Sequence, residues 1–326
     1  KEIKEASTLE VEGVLEQNEK APNGIEIRMK KVKILSQPED EMMPLAISKW
    51  KLNTSLEAKL NYRSISLRNI RERAKFRIQE GLTRAFRDFL YSQEFTEIHT
   101  PKIGAKSAEG GANLFKLEYF HRPAVLQQSP QFYKQMAMAS GLDRIFESGP
   151  VFRAEKSYTN KHATEFTGFD LEFSYVYSCE EVMHMEEELL AYAFAKVAEA
   201  HGEEVERLFG KKVIVPTVPF PRIKLKDLYA ELEARYGYTV SDEAKGDLTT
   251  DAEHLCEKFA MEKYGSEFLF VTDYDAKERA FYHMRDKDGV PMGYDLIWRG
   301  CEITTGAVRE HRYEVLKKQA EDVKKG

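Results

Sequence analysis

The stretch Phe152-Arg153-Ala154-Glu155, followed by Lys161-His162-Ala163-Thr164-Glu165-Phe166 and then Asp170-Leu171-Glu172, decides how this chain is read. Val151 and Phe152 belong to a strand. Strand alternation points Arg153 and Glu155 the same way. The polar run from Glu155 to Lys161 reads as a loop, and Phe166 to Tyr175 as a returning strand with Phe166, Gly168, Asp170 and Glu172 on one face. Such an antiparallel pair offers an anion-binding arginine, a flat aromatic and carboxylates to one pocket, which suits a nucleoside triphosphate beside an amine. A surface hairpin laced with salt bridges is the plain alternative.

Three further segments carry candidate chemistry. In Ser129-Pro130-Gln131-Phe132-Tyr133-Lys134-Gln135, Ser-Pro can start a helix, and Gln131 and Lys134 then share a face. A lysine beside an amide suits a carboxylate ligand; an exposed helix face is the alternative. Ser107-Ala108-Glu109-Gly110-Gly111 is a small loop with one acid, whose glycines permit unusual dihedrals. Alone it is no more than a turn. In Gly300-Cys301-Glu302-Ile303-Thr304-Thr305-Gly306-Ala307-Val308-Arg309, alternation puts Glu302 and Thr304 on one face and Thr305 on the other. Glu302 reads equally well as a strand-edge acid.

The 326 residues, 42% hydrophobic and 32% charged, suffice for one large domain plus a small one. No apolar run reaches the roughly 18 residues of a membrane span. The start, Lys1-Glu2-Ile3-Lys4-Glu5, lacks the apolar stretch of a signal peptide. A cytoplasmic protein with no membrane contact is expected. Cys179, Cys256 and Cys301 form no CxxC pair, against a disulfide framework or a zinc site. The formal net charge of −6 counts weakly against a nucleic-acid partner. Nine Lys or Arg residues between Lys59 and Arg87 still make a local basic stretch, ordinarily a solvated helix face.

Residues 8 to 36 are strand-like, with a turn at Pro22-Asn23-Gly24 and about three strands. Residues 37 to 66, with Pro38 and Pro44, read as a linker. Residues 66 to 95 form a long amphipathic helix that leads into a strand at 95 to 98. Further helices are expected over 179 to 201, within 222 to 264 and after Val315. Strands are expected over 268 to 272, 281 to 284, 294 to 298 and 302 to 305.

FRAE, a loop and then H-x-x-E-F resembles motif 2 of the class II aminoacyl-tRNA synthetases, in the form found in aspartyl-tRNA synthetases of the archaeal and eukaryotic type. The Glu109 loop, the Ser129–Gln135 heptapeptide and the Glu302–Arg309 run are similar to further elements of that family, in the expected order. The long helix resembles motif 1, its dimer-forming element. The resemblance implies an α+β fold: a class II antiparallel sheet flanked by helices over residues 51 to 326, preceded in residues 1 to 50 by part of an OB-fold anticodon-binding barrel. It implies that Arg153 and Glu155 serve catalysis and ATP binding, Arg153 on the α-phosphate and Glu155 on adenine or the tRNA acceptor end. His162 would lie near the β- and γ-phosphates, and Phe166 would stack on adenine. Glu109, Gln131, Lys134, Asp170 and Arg309 would bind aspartate; Glu302 and Thr305 would hold Mg²⁺, with Glu302 also on the ATP side. Val308 stands where the family commonly has glutamine. Motif 3, with its γ-phosphate arginine, is not found before Lys325-Gly326, so a chain trimmed at both ends, or one with segments left out, is expected.

The implied activity is ATP-dependent activation of L-aspartate and its transfer to tRNA(Asp), with tRNA(Asn) as a second candidate, by a cytoplasmic homodimer using ATP as substrate and Mg²⁺. Two alternatives stay open: an asparaginyl-tRNA synthetase or related asparagine-forming enzyme, and a non-catalytic paralogue that binds nucleotide or a partner. Lys134 and Arg309 speak against bound asparagine, because both favour a carboxylate.

Overall fold

Alternating residues from Thr8 onward produce β1 (Thr8–Gln17), paired antiparallel with β2 (Ile25–Ser36). Two long strands thus stand where about three were expected. The computed structural model describes residues 3–21, 24–40, 42–106, 114–155 and 163–323. They fall into two compact units, residues 1–80 with 204–211, and residues 81–203 with 212–326.

The expected linker is partly helical. Ser55 accepts the Ala58 N–H through its side chain and starts α1 (Leu56–Asn61), followed by α2 (Arg63–Ser66). Leu45 and Leu52 are buried ahead of them. The periodicity missed this because the helices are six and four residues long, too short for an apolar stripe: α1 has a side-chain cap but no buried residue, and α2 buries only Ser66. The buried Asn69 then accepts the N–H groups of Arg71 and Glu72 at 3.1 and 3.4 Å, opening α3 (Ile70–Ser92). Much of the basic stretch is spent locally: Lys59 and Lys75 pair with Glu72, Arg77 with Glu204, and Arg87 with Glu97.

The larger unit contains three sheets among the described residues. Short strands β3 (Thr96–Glu97), β4 (Ile103–Gly104), β5 (Lys116–Tyr119) and β6 (Arg122–Leu126) precede α4 (Gln131–Ala139). Next come β7 (Arg144–Phe152), β8 (Glu165–Phe173) and the long α5 (Cys179–Phe209). One sheet has the order β3-β7-β8, another β4-β6-β5. The chain continues through β9 (Arg222–Lys224), α6 (Leu225–Tyr236), α7 (Thr250–Tyr264), β10 (Phe268–Thr272), β11 (Gly293–Trp298), β12 (Cys301–Ala307) and α8 (Tyr313–Val323). The third sheet is β12-β11-β10-β9. Two of these sheets are mixed, since β3 runs parallel to β7 and β9 parallel to β10, while β4-β6-β5 is antiparallel.

The four-stranded sheet is covered on both faces, so Phe268-Leu269-Phe270-Val271 is buried without a polar gap. Leu269 and Val271 pack with Leu228, Leu232 and Phe259 of α6 and α7. Phe268 and Phe270 pack with Met183 and Leu190 of α5. Phe281–Met284 is not a strand. His283 makes only an isolated bridge to Arg309, because the chain turns from Ala280 to His283 before Met284 donates its N–H to the Val308 carbonyl at 2.9 Å. No helix among the described residues is long and apolar enough to cross a membrane.

The core of α6 and α7 against the sheet has no polar substitute for its aliphatic contacts. Leu228 is fully buried within it. Leu228→Ala is expected to lower stability by about 2–5 kcal/mol, read as a fall in the urea midpoint; a midpoint at the wild-type value would show that this core relaxes around the cavity.

Candidate functional site

The β7–β8 pair places Glu147 opposite Asp170 and Gly149 opposite Gly168. Phe169, Leu171 and Phe173 pack into a core with Phe89, Leu90 and Phe146. Phe166, Gly168, Asp170 and Glu172 therefore share the other face, as alternation requires. Against that face lies α4. The Ser129 hydroxyl accepts the Gln131 N–H at 3.2 Å at its start. Gln131 and Lys134 are both buried, at 4% and 3% exposure, which rules out an ordinary solvated helix face.

A buried ammonium needs anions. Lys134 Nζ lies 3.2 Å from Asp170 Oδ1 and 3.3 Å from Glu172 Oε2, and donates to the Leu171 carbonyl at 3.4 Å. Gln131 Nε2 donates to both Glu172 oxygens at 3.2 and 3.4 Å. Arg309 closes the group: its Nη2 donates to Gln131 Oε1 at 3.1 Å, and its Nε is 3.6 Å from Glu172 Oε1. The guanidinium sits over the Tyr282 ring, 5.2 Å from the centroid. Its buried Nε makes no hydrogen bond among the described residues, so donor capacity remains for a further anion. Val308, beside it, is buried, and its N–H donates to the Met292 carbonyl, which fixes the backbone just before Arg309. Glu172 is a central member of this group that the candidate set lacked, although it stood in the deciding stretch.

Arg153 follows β7 directly, and its N–H donates to the Thr164 carbonyl at 2.9 Å, extending the pairing beyond Phe152 and Glu165. Its side chain lies over Phe166, 5.4 Å from the ring centroid, with a buried Nε lacking a partner among the described residues. Phe166 is 38% exposed, so a ring face is open to a planar ligand. Glu155 is half-buried on the same segment and makes no ion pair among the described residues. Glu109 and His162 lie outside the described residues.

Glu302 and Thr305 require a correction. Thr304 pairs with Leu296 and Glu302 with Ile297, so Ile303 is an extra residue in β12. This bulge breaks the alternation. Thr305, opposite Asp295, and Glu302, opposite Ile297, thus share a face, and Thr304 takes the other. Asp295 is buried and gripped by Arg279 through bonds of 2.9 and 2.5 Å. Arg279 stacks 3.6 Å from the Tyr274 ring centroid and also donates to Thr305 Oγ1 at 3.4 Å. The Glu302 N–H donates to Glu253 Oε2 at 3.1 Å. The surrounding protein thins the hydration of the Glu302 carboxyl and, with Asp295 and Glu253, pushes it up to about 8, although its surface stays accessible. Asp295, Arg279 and Glu253 were missed. A lone acid in the apolar run Tyr294-Asp295-Leu296-Ile297-Trp298 was the available signal for the first.

His283, bridged to Arg309, is buried; burial, then Arg309 and Arg279, push its imidazole down to about 3. The unfolded chain binds that proton near pH 6.5, so the contribution of His283 is complete above about pH 6.5 and is lost as pH falls toward its folded value. The loss is at most about 1.4 kcal/mol per pH unit. His283→Gln is expected to flatten the acid limb of stability against pH in urea titrations; an unchanged limb would mean that the folded imidazole is protonated.

The sequence profile of the family "tRNA synthetases class II (D, K and N)" matches residues 55–326. The aspartate–tRNA(Asp/Asn) ligase of Methanopyrus kandleri is 40% identical over 316 residues, 97% of this chain and 71% of that protein. The aspartate–tRNA(Asp) ligase of Pyrococcus furiosus is 38% identical over 320 residues, 96% of this chain and 70% of that protein. The asparaginyl-tRNA synthetase of Pyrococcus horikoshii, solved with asparaginyl-adenylate, is 29% identical with a TM-score of 0.84 over 98% of this chain and 71% of that one. The profile spans the Lys134–Glu172–Arg309 cluster, the Arg153–Phe166 pair and the bulged β12 strand alike, and the relatives match across nearly the whole chain: this protein belongs to the class II tRNA synthetases of the D, K and N family.

Proposed function

We propose that this chain is the aspartate-activating part of an aspartate–tRNA ligase. The carrying observation is the convergence of Lys134, Arg309 and Gln131 on one buried point, with an Arg309 donor still unused. Two cations there favour a β-carboxylate over a neutral amide. The α-carboxylate of aspartate, ionised at neutral pH, attacks the α-phosphorus of ATP. The bond to the bridging oxygen breaks and pyrophosphate leaves. A terminal ribose hydroxyl of tRNA then attacks the aspartyl carbonyl, losing its proton, and AMP departs.

The residues act by position and charge. Lys134 and Arg309 orient the β-carboxylate. Asp170, with Glu109, receives the substrate ammonium. Arg153 stabilises charge on the α-phosphate, Phe166 stacks on adenine, and His162 and Glu155 attend the outer phosphates and the adenine or acceptor end. Glu302 and Thr305 fit Mg²⁺ by donor chemistry, since that ion takes one or two carboxylates and completes its shell with phosphates and water. The crowding of Glu302 by Asp295 and Glu253 is relieved by a cation. Bound there, Mg²⁺ would neutralise phosphate charge. Among the described residues no group of three or more His, Cys, Asp or Glu side chains makes a complete metal cage, in keeping with an ion shared with substrate.

Residues 1–50, with the β1–β2 hairpin, are assigned to part of an OB-fold anticodon domain, and 51–326 to the catalytic domain. A cytoplasmic homodimer through the α3–β3 element and use of tRNA(Asp), with tRNA(Asn) in addition, complete the reading. Relatives of both Asp/Asn and Asp type match this chain. Pyrophosphate exchange with aspartate and asparagine, run side by side, tests it: aspartate alone should support exchange.

Removing one partner of a buried ion pair costs about 3–5 kcal/mol. Arg309→Ala should therefore weaken aspartate use by roughly two to three orders of magnitude while ATP binding changes little. Equal loss of both ligands would place Arg309 in the fold rather than in substrate choice. Arg153→Ala should lower the single-turnover adenylation rate by about 10²–10³, far more than it raises the ATP KM; a normal rate would refute the α-phosphate role.

A further inference from the structure

The bulge at Ile303 has no hydrophobic cause of its own. Ile303 is 38% exposed and not a core residue, so core packing at Ile303 does not fix the bulge. The restraint lies on the opposite face of the sheet. Tyr294 Oη donates to Glu186 Oε2 at 2.7 Å, and Thr304 Oγ1 donates to Glu186 Oε1. Glu186 is buried on α5. The Tyr294 ring reaches it by crossing β12 at Gly306, where a Cβ would stand 2.4 Å from Cζ and Oη of the ring. Among the described residues no lysine or arginine pairs with Glu186. Burial pushes its carboxyl up to about 7, against the pull of the two hydroxyls. Its two oxygens form a two-pronged acceptor for those hydroxyls.

We propose that Glu186 is a positioning residue: by holding Thr304 and Tyr294 from the α5 side it fixes the Ile303 bulge and keeps Glu302 and Thr305 facing the same way as Asp295. Only the kinetic arm of its test rests on the aspartate-activating reading. A direct β12 slip would turn Glu302 toward α5, so the clamp acts on the site through one strand.

The test compares wild type, Glu186→Gln, Glu186→Leu and Thr304→Val by amide hydrogen exchange over residues 301–307 and by aspartate-dependent pyrophosphate exchange. Glutamine can accept one hydroxyl and donate to the other, so it should restore both readouts. Leucine at 186 and valine at 304 should speed amide exchange at least about fivefold. They should lower kcat about ten- to hundredfold with the aspartate KM within about twofold of wild type. Thr304→Val with wild-type amide exchange, or Glu186→Gln as damaging as Glu186→Leu, would overturn the proposal. Should Glu186→Leu not fold, Thr304→Val decides alone. A wild type that exchanges no pyrophosphate would refute the functional reading, while the amide exchange would still decide the clamp.

Discussion

In β8, Phe169, Leu171 and Phe173 are committed to a core with Phe89, Phe95 and Phe146. That commitment leaves Asp170 and Glu172 no choice of face. A slip of one residue would drive two carboxylates into that core and expose three large apolar side chains. Burying an unpaired carboxylate costs several kcal/mol, so the register is specified by both faces at once. The aromatic core is therefore what aims the acids at Lys134 and Gln131. The neighbouring Arg153 and Phe166 inherit the same register, since they lie on the continuation of the same paired strands.

The acids in turn make α4 possible. A helix that buries a glutamine and a lysine on one face is unfavourable unless each polar atom finds a partner. Glu172 accepts from Gln131, lies within ion-pair distance of Lys134 and approaches Arg309, so one carboxylate serves three side chains, two on α4 and one after β12. Pairs of this kind contribute more to a unique arrangement than to net stability, because desolvation offsets much of their attraction. A second such pair, Arg279 with Asp295, ties the segment before β11 to the sheet and is backed by the Tyr274 ring.

Residues with a strong local pattern were legible in the sequence. The β7–β8 hairpin and the shared α4 face of Gln131 and Lys134 follow from alternation and helical spacing, and β10 and β11 from their apolar runs. What escaped is what alternation cannot encode. The Ile303 bulge reverses the face of Thr305, and no residue type in Cys301–Ala307 announces it. Phe281–Met284 has strand-like composition, yet the partners of its backbone are single groups of the Val308–Glu310 segment, Met292 and the Gln319 side chain. The helices after Ser55 are too short for a periodic stripe. Glu172, Asp295 and Glu253 matter through contacts distant in sequence, as does the buried His283, whose Nδ1 has no hydrogen-bond partner among the described residues.

Charge balance bears on ligand choice as well. Lys134 and Arg309 are offset by Asp170 and Glu172, so the cluster is neutral before any ligand enters. An amino acid with a side-chain carboxylate adds an acceptor facing the unused Arg309 donors, and its ammonium adds a charge facing Asp170. A side-chain amide would have to turn its oxygen to Arg309 and leave its two N–H donors among Lys134 and Arg309, which offer no acceptor. Among the described residues the nearby carboxylates that could take those donors are Glu172, already engaged by Gln131 and Lys134, and Asp170, already paired with Lys134. The aspartate preference proposed above thus depends on both carboxylates remaining engaged. The buried Gln131, which accepts from Arg309 while donating to Glu172, links those two side chains.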